Sequence, residues 1–219
     1  VQRAMQIARS EPAGPVYLIA AREVMEEPLQ PYTVDRATFG PVAPVALAGE
    51  VTAEIAAALA GAQHPLVVTS YLGRDPAAVP ELVELCELLG IRVLESMAYH
   101  VNFPADHELH AGFQYHTVAQ NPVLAQADVI LVIDSDVPWI GSVNRPSAGA
   151  AIYCVDVDPL KPSMNMWHVP ARRFAAASAR VAVWQIVRFV RDHNLADPAV
   201  VRARRAAATR AWSADSRRS

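Results

Sequence analysis

Residues 128–162 read DVILVIDSDVPWIGSVNRPSAGAAIYCVDVDPLKP and carry the strongest structural signal in the chain. Two apolar runs, Val129–Ile133 and 150–157, are rich in Val and Ile and are too short for a helix of ordinary length. Continuous apolar runs of this kind are typical of parallel strands whose two faces are both covered by helices. In such sheets ligands bind outside the carboxyl ends of the strands. The stretch therefore predicts a parallel sheet covered by helices, with a ligand site at the carboxyl ends of its strands.

Composition and charge place the chain among globular proteins. Of its 219 residues 53% are hydrophobic and 19% are charged, which is enough for one good core and part of a second unit. The net charge of -3 gives no reason to expect nucleic acid or an anionic membrane as a partner. No apolar run of the sequence approaches the roughly 20 residues that span a bilayer.

The two cysteines predict a reducing compartment. Cys86 falls in a predicted helix and Cys154 in a predicted strand, and neither has a nearby His or a CxxC partner. Buried free thiols are the favoured interpretation, and a disulfide or a catalytic thiol is the alternative. We therefore expect an intracellular, cytoplasmic protein.

The chain divides into four parts. Residues 1–27 combine the end of a helix with a short strand at 15–20, and we interpret them as the C-terminal remnant of an earlier unit. Residues 28–47 hold four prolines and predict an extended linker. Strand and helix patterns alternate over 48–193, which predicts an α/β fold: a doubly wound, mostly parallel Rossmann-like sheet with helices on both faces. Residues 194–219 form a tail or linker rich in Ala and Arg.

The central part, 48–193, predicts a definite series of elements. It begins with a helix from 48 to 61 and a strand at 65–69. The next helix is capped by Asp75, has Pro76 as its first residue and is stopped by Gly90, and a strand at 91–94 follows it. An irregular segment at 97–120, a short helix at 121–126 with Asn121 as its cap, the two strands named above and a helix at 175–193 complete the series.

The first candidate site consists of polar residues at two strand ends. Asp134, Ser135 and Asp136 follow the first apolar run. Asp156 and Asp158 lie at the end of the second run. A carboxylate in this position can accept hydrogen bonds from ribose hydroxyls, so a nucleotide is one interpretation. The alternative is that these residues cap helices and turns.

The turn after the strand at 65–69 is a second candidate. A phosphate cradle uses several glycines so that backbone N–H groups approach the ligand, and this turn has only Gly73. Ser70 and Arg74 flank it, and an arginine can pair with phosphate. A phosphate-binding loop and an ordinary turn both remain open.

Three histidines and several aromatic residues are favoured as structural residues over site residues. His107, His110 and His116 have no helical spacing and no accompanying Cys, so we expect no metal site. Trp139 and Trp167 are interpreted as core or interface residues before adenine-stacking residues. Packing against a neighbouring domain is favoured over forming a pocket for Met97, Tyr99, Phe103, Phe113 and Tyr115.

The sequence resembles the thiamine-diphosphate-dependent enzymes. Residues 3–27, RAMQIARSEPAGPVYLIAAREVMEE, resemble the closing part of their N-terminal pyrimidine-binding domain. Residues 65–96, PLVVTSYLGRDPAAVPELVELCELLGIRVLES, resemble the start of their central domain. ADVILVIDSDVPW (127–139) and AAIYCVDVDPLK (150–161) resemble its later strands. The closest subgroup is the acetolactate-synthase-like enzymes.

This resemblance implies a parent lyase or transferase acting on a 2-oxo acid such as pyruvate, with thiamine diphosphate and magnesium. In the family the cofactor lies between the pyrimidine-binding domain and a C-terminal diphosphate-binding domain, which carries a GDG motif. This chain has no GDG, and it begins after the position of the activating Glu, so no catalytic residue can be carried over. The resemblance implies a non-catalytic scaffold whose partners are the missing domains and further copies in a homo-oligomer.

The same resemblance also allows a nucleotide-binding site in the central domain. Related central domains hold FAD in acetohydroxyacid synthases and ADP in oxalyl-CoA decarboxylases, while many hold no nucleotide. The position of Asp156 resembles the adenosine-contacting region of the flavin-binding relatives. An ADP- or FAD-like regulatory module is therefore the alternative function. An NAD-dependent oxidoreductase is disfavoured because no GxGxxG follows any predicted strand.

Overall fold

The computed structural model describes residues 1–114, 119–165 and 167–215, which form two compact units, Val1–Pro44 and Val45–Ser219. The first unit contains helices α1 (Gln2–Arg9) and α2 (Arg22–Glu26) and a 3-10 turn at Arg36–Phe39. Gln6 of α1 and Ser10, the residue that follows this helix, form hydrogen bonds with the backbone of residues 40 and 42. Gln6 Nε2 donates to Gly40 O at 2.9 Å, and Ser10 Oγ accepts from Val42 N at 3.0 Å.

The strand predicted at residues 15–20 is not formed, and this prediction is wrong. The segment is extended but pairs with no strand of the described chain, and a strand is defined by such pairing. Tyr17 and Ile19 are 89% and 78% exposed. Apolar alternation alone therefore predicted the backbone shape and missed the absence of a partner.

The second unit is built on six parallel strands, which confirms the predicted doubly wound parallel sheet and adds two strands to the four that were predicted in this part. They are β1 (Pro65–Thr69), β2 (Arg92–Ser96), β3 (His110–Gln114), β4 (Val129–Ile133), β5 (Ala151–Asp156) and β6 (Arg173–Ala176). Their order is β3-β2-β1-β4-β5-β6, with every neighbouring pair parallel. The chain runs outward in opposite directions from β1 and β4, which makes their junction the topological switch point where such sheets bind ligands.

Helices cover both faces of this sheet. They are α3 (Gly49–Gly61), α4 (Ala78–Leu89), α5 (Pro122–Gln126), α6 (Ala179–Asp192) and α7 (Pro198–Asp215). Successive residues of β4 point to opposite faces of the sheet and so belong to two separate hydrophobic cores. Leu131 packs in the cluster that contains α3, α4 and α6, and Ile130 packs in the cluster that contains α5. None of the helices in the described ranges is long and apolar enough to cross a membrane.

Two helix boundaries follow from single residues that the sequence singled out. Gly90 ends α4 in the left-handed conformation at φ 66, and its N–H donates to Cys86 O. Asn121 caps α5 by accepting from the N–H of Val123 at 2.9 Å, with Pro122 as the first helical residue. Both predictions are confirmed.

Three element predictions were wrong in detail. The final helix, predicted from 175, begins only at Ala179, and residues 175–176 belong to the edge strand β6. The segment predicted to be irregular contains β3, where Gly112 and a register shift against β2 obscure the alternation. Helix α4 begins at Ala78 instead of Pro76, because Asp75 Oδ1 accepts from Ala77 N at 3.0 Å and closes a turn first.

Candidate functional site

The carboxyl ends of β1, β4 and β5 bring together four side chains that the sequence singled out. Ser70, Asp134, Ser135 and Asp156 are all at most 4% exposed. The hydroxyl oxygens of Ser70 and Ser135 lie 2.7 Å apart, and Ser70 also donates to Ser96 O. The backbone N–H groups of Ser70 and Tyr71 donate to Asp134 O. Hydrogen bonds therefore link the carboxyl ends of β1, β2 and β4 directly to each other at the switch point.

Arg74 is engaged by a carboxylate of the same cluster. Its Nη2 lies 2.6 Å from Asp134 Oδ1, and the Asp134 side chain is 4% exposed. Asp134 also has a left-handed backbone, with φ 52, a conformation that Asp tolerates better than most residues. The arginine considered as a phosphate ligand thus neutralises a buried charge of its own sheet.

Lys161 completes the cluster, and the sequence reasoning missed it. Its Nζ lies 2.7 Å from Asp136 Oδ1 and 2.8 Å from Asp156 Oδ1, and its side chain is 10% exposed. Burial alone would lower the pKa of the ammonium, but hydrogen bonds to both carboxylates outweigh it and raise the pKa. A lysine in the turn that closes β5 was the available signal. Asp158 contributes its backbone N–H to Asp156 Oδ1 at 2.8 Å.

The glycine of the first turn has a packing role. A Cβ atom on Gly73 would lie 2.0 Å from Val101 O, and the Gly73 N–H donates to Asn102 Oδ1 at 2.9 Å. The backbone of residues 101–102 therefore passes directly against this glycine. Close approach of the chain itself explains the residue without a phosphate.

The histidines of the segment at 97–120 pair with carboxylates. His107 Nε2 lies 3.3 Å from Glu87 Oε1, and His110 Nε2 lies 2.9 Å from Glu95 Oε2. His116 and Tyr115 lie outside the described residues. Within the described ranges, no group of three or more His, Cys, Asp or Glu side chains could hold a metal ion.

The remaining candidates are core residues. Trp139 and Trp167 pack against the second hydrophobic cluster, and Trp167 Nε1 donates to Asp136 O at 2.7 Å. Cys86 and Cys154 are free and buried, as predicted. Burial raises the pKa of both thiols, that of Cys154 to about 12. Such thiols are poor nucleophiles and metal ligands at neutral pH.

Magnesium does not fit this cluster. Magnesium is held by carboxylates that are open to the ion and by phosphate oxygens. Here the Asp134 carboxylate forms an ion pair with Arg74, and the carboxylates of Asp136 and Asp156 form ion pairs with Lys161. We therefore assign no chemical step to these residues.

The family is shown by a match over most of the second unit. Residues 52–180 match the model of the thiamine pyrophosphate enzymes' central domain. The chain therefore belongs to this family and contains its central domain. No curated protein sequence matches the chain significantly.

Solved structures share the fold. An enzyme from Mycobacterium smegmatis described as thiamin diphosphate-dependent matches with a TM-score of 0.63 and 21% identity, over 85% of this chain and 36% of that one. Benzoylformate decarboxylase from Polynucleobacter necessarius matches with a TM-score of 0.63 and 20% identity, over 84% of this chain and 34% of that one. The chain thus spans about a third of the length of these two structures.

Proposed function

We propose that this chain is the central scaffold domain of an acetolactate-synthase-like, thiamine-diphosphate-dependent enzyme that acts on 2-oxo acids, and that it is non-catalytic alone. The family match supports the class of parent enzyme. The observation that carries the scaffold role is the Lys161 ammonium held between Asp136 and Asp156 at the switch point. The place where an α/β sheet usually binds its ligand is here occupied by the protein's own charges.

These internal ion pairs favour a structural role on energetic grounds. Separating one partner from a buried ion pair costs several kcal/mol, about 3–5 in the fully buried case. A ligand entering between Lys161 and Asp156, or between Arg74 and Asp134, would have to offset that cost. The same pairs hold the loops after β1, β4 and β5 in one arrangement. A rigid carboxyl edge of the sheet is consistent with a domain that keeps its neighbouring domains at a fixed separation.

The partners we propose are the pyrimidine-binding and diphosphate-binding domains of the parent and further copies in a homo-oligomer. Exposed apolar side chains of the first unit support a partner, since monomers rarely expose many of them together. They include Tyr17, Ile19, Met25, Leu29 and Tyr32, each at least 70% exposed. A cytoplasmic location remains a prediction from the cysteines.

Two measurements on the 219-residue chain test the scaffold proposal. The first is acetolactate formation and CO2 release from pyruvate with magnesium and thiamine diphosphate, for which we expect no turnover. The second is thermal unfolding with and without magnesium thiamine diphosphate, for which we expect an unchanged midpoint. Turnover, or a midpoint raised by thiamine diphosphate, would contradict the proposal.

An ADP- or FAD-binding module is the second candidate, supported by the convergence of buried Asp134, Asp156 and Ser70 at the switch point. A ligand at 100 times its dissociation constant adds about 2.7 kcal/mol. For a chain of this size the unfolding midpoint would rise by roughly 5–10 °C. The discriminating variant is Asp156→Asn, which should abolish a rise caused by ADP or FAD. An unchanged midpoint with both nucleotides would leave the scaffold role alone.

A further inference from the structure

The outer surface of α4 and α6 has an acidic side and a basic side. The two helices pack side by side and contribute to the same hydrophobic cluster. Helix α4 holds three glutamates and no lysine or arginine, whereas α6 holds three arginines and a single aspartate at its last position. The α4–α6 surface is defined by these side chains, which are Glu81, Glu84, Glu87, Arg180, Arg188 and Arg191. Its charge therefore changes sign from one helix to the other.

A groove of about 260 Å³ lies between the two helices. Pro80 lines it from α4, and Trp184 and Val187 line it from α6. Trp184 is 46% exposed, although a tryptophan ring carries a large apolar area that favours burial. Protein interfaces combine an apolar centre with a polar rim, and tryptophan and arginine are enriched among the residues that contribute most to binding. The α4–α6 surface has this composition.

The arginines of α6 still have room for further carboxylates. The guanidinium carbon of Arg188 lies 5.1 Å from the centre of the Trp184 ring, and within the described ranges Arg188 forms no ion pair with a carboxylate. Arg191 lies 2.6 Å from Glu84, but both side chains are largely open to water. Exposed ion pairs of this kind contribute little to stability, so Glu84 remains available to a second cation.

A two-fold axis along the groove makes this surface complementary to itself. Rotation by 180° about that axis lays α4 of one copy over α6 of the other, and the reciprocal contact forms at the same time. Glutamates then face arginines in both contacts, and the two Trp184 rings meet near the axis. An axis across the helices would instead lay α4 over α4 and bring like charges together. Charge complementarity therefore selects one arrangement and opposes the other.

We propose that the α4–α6 surface is a two-fold contact between two copies of this chain. The proposal rests on the scaffold function given above, and it names the surface through which the homo-oligomer of that function forms. Helices of 12 and 14 residues are about 20 Å long, and two of them side by side are about 20 Å wide. The contact thus covers about 400 Å² on each copy, below the 600 Å² or so of a standard stable interface. We expect a weak dimer, with a dissociation constant of about 10–300 µM.

Sedimentation equilibrium of the 219-residue chain tests the contact. The measurement covers about 10 µM to 1 mM protein in about 50 mM salt, where charges are weakly screened. Trp184→Ala should weaken dimerisation at least about tenfold, as expected for an aromatic residue at the centre of an interface. The control is Tyr99→Ala, an exposed aromatic residue outside the two helices, which should leave dimerisation unchanged. Circular dichroism checks that both variants are folded.

A pair of charge reversals tests the arrangement of the two copies. Arg188→Glu places acid opposite acid in both contacts, and Glu84→Arg places base opposite base, so each variant alone should dimerise at least about tenfold more weakly. A mixed dimer of the two variants has one contact with the original charges and one with the charges exchanged. Mixing the two proteins should therefore restore association to within about threefold of the wild type.

The outcomes separate this contact from the scaffold function. A wild-type chain that stays monomeric at 1 mM would overturn the proposed contact, and so would a dimer that is unchanged in folded Trp184→Ala. Absence of rescue in the mixture of the two folded charge variants would overturn the two-fold arrangement. None of these results bears on turnover or on stabilisation by thiamine diphosphate, which decide the scaffold function independently.

Discussion

Arg204 on α7 donates a hydrogen bond from Nη1 to the carbonyl of Leu89, the last residue of α4, over 2.6 Å. Its Nη2 donates to Ala60 O at 2.9 Å and to Ala62 O, at the end of α3. The last carbonyls of a helix lack intrahelical partners and carry a partial negative charge. One guanidinium therefore caps two helices and holds α7 against both.

We expect Arg204→Met to lower the free energy of unfolding by about 1–3 kcal/mol, because the carbonyls of Leu89 and Ala60 lose a charged donor while the side-chain stem is kept. Urea denaturation measures the change. The control is Arg202→Met on the exposed face of the same helix, which should change stability by less than about 0.5 kcal/mol. Equal losses in the two variants would show that the capping contacts contribute nothing specific.

The glycine after α4 should be intolerant of a side chain. Gly90 has φ 66, and an added Cβ would lie 3.0 Å from Arg204 Cβ and 3.1 Å from Val201 O. We expect Gly90→Ala to destabilise the protein by about 1–2 kcal/mol or more, because left-handed backbone is costly for Ala. Gly61, helical and with open space at its Cβ, is the matched control. Gly61→Ala should be neutral or stabilising by up to about 1 kcal/mol, and chemical denaturation separates the two outcomes.

Gly73→Ala tests whether that glycine serves packing. The added Cβ would overlap Val101 O, so the backbone of 101–102 must move and the hydrogen bond to Asn102 Oδ1 is strained. We expect a loss of about 1–3 kcal/mol in stability. Gly149→Ala, with nothing near its Cβ, is the control. A stable Gly73→Ala protein would remove the packing explanation.

Lys161 should make stability depend on alkaline pH. Its folded pKa is raised by Asp136 and Asp156 despite burial, so its contribution is fully present below the unfolded pKa of about 10.4 and is lost as pH rises through the folded value. We expect Lys161→Met to cost about 1–3 kcal/mol at neutral pH, less than a fully buried pair because Asp136 is partly exposed.

The same variant should show a smaller loss of stability above about pH 10 than the wild type, since it lacks the group whose pKa is raised. Denaturation curves at matched pH values provide the comparison. The raised pKa of Tyr71, caused by burial and then by Asp136, belongs to both proteins and should largely cancel. Parallel pH profiles would mean that the ion pairs of Lys161 contribute little.

The elements whose signal is local could be predicted from the sequence. The run Val129–Ile133 had to be buried on both faces, because all five of its residues are apolar, and it lies in the middle of the sheet. Gly90 and Asn121 act within one turn of helix, so their effects could be predicted from neighbours in the chain. The strand-end position of Asp134 and Asp156 follows from the same local patterns.

The contacts of those residues depend on the tertiary structure. Arg74 and Asp134 are 60 positions apart in the chain, and Arg204 and Leu89 are 115 apart. Strands β3 and β6 depend likewise on neighbours that pair with them, since their own residues are mixed in polarity. Local sequence sets backbone propensity and the apolar pattern, whereas an ion pair or an edge strand exists only once the folded sheet brings distant segments within hydrogen-bonding distance.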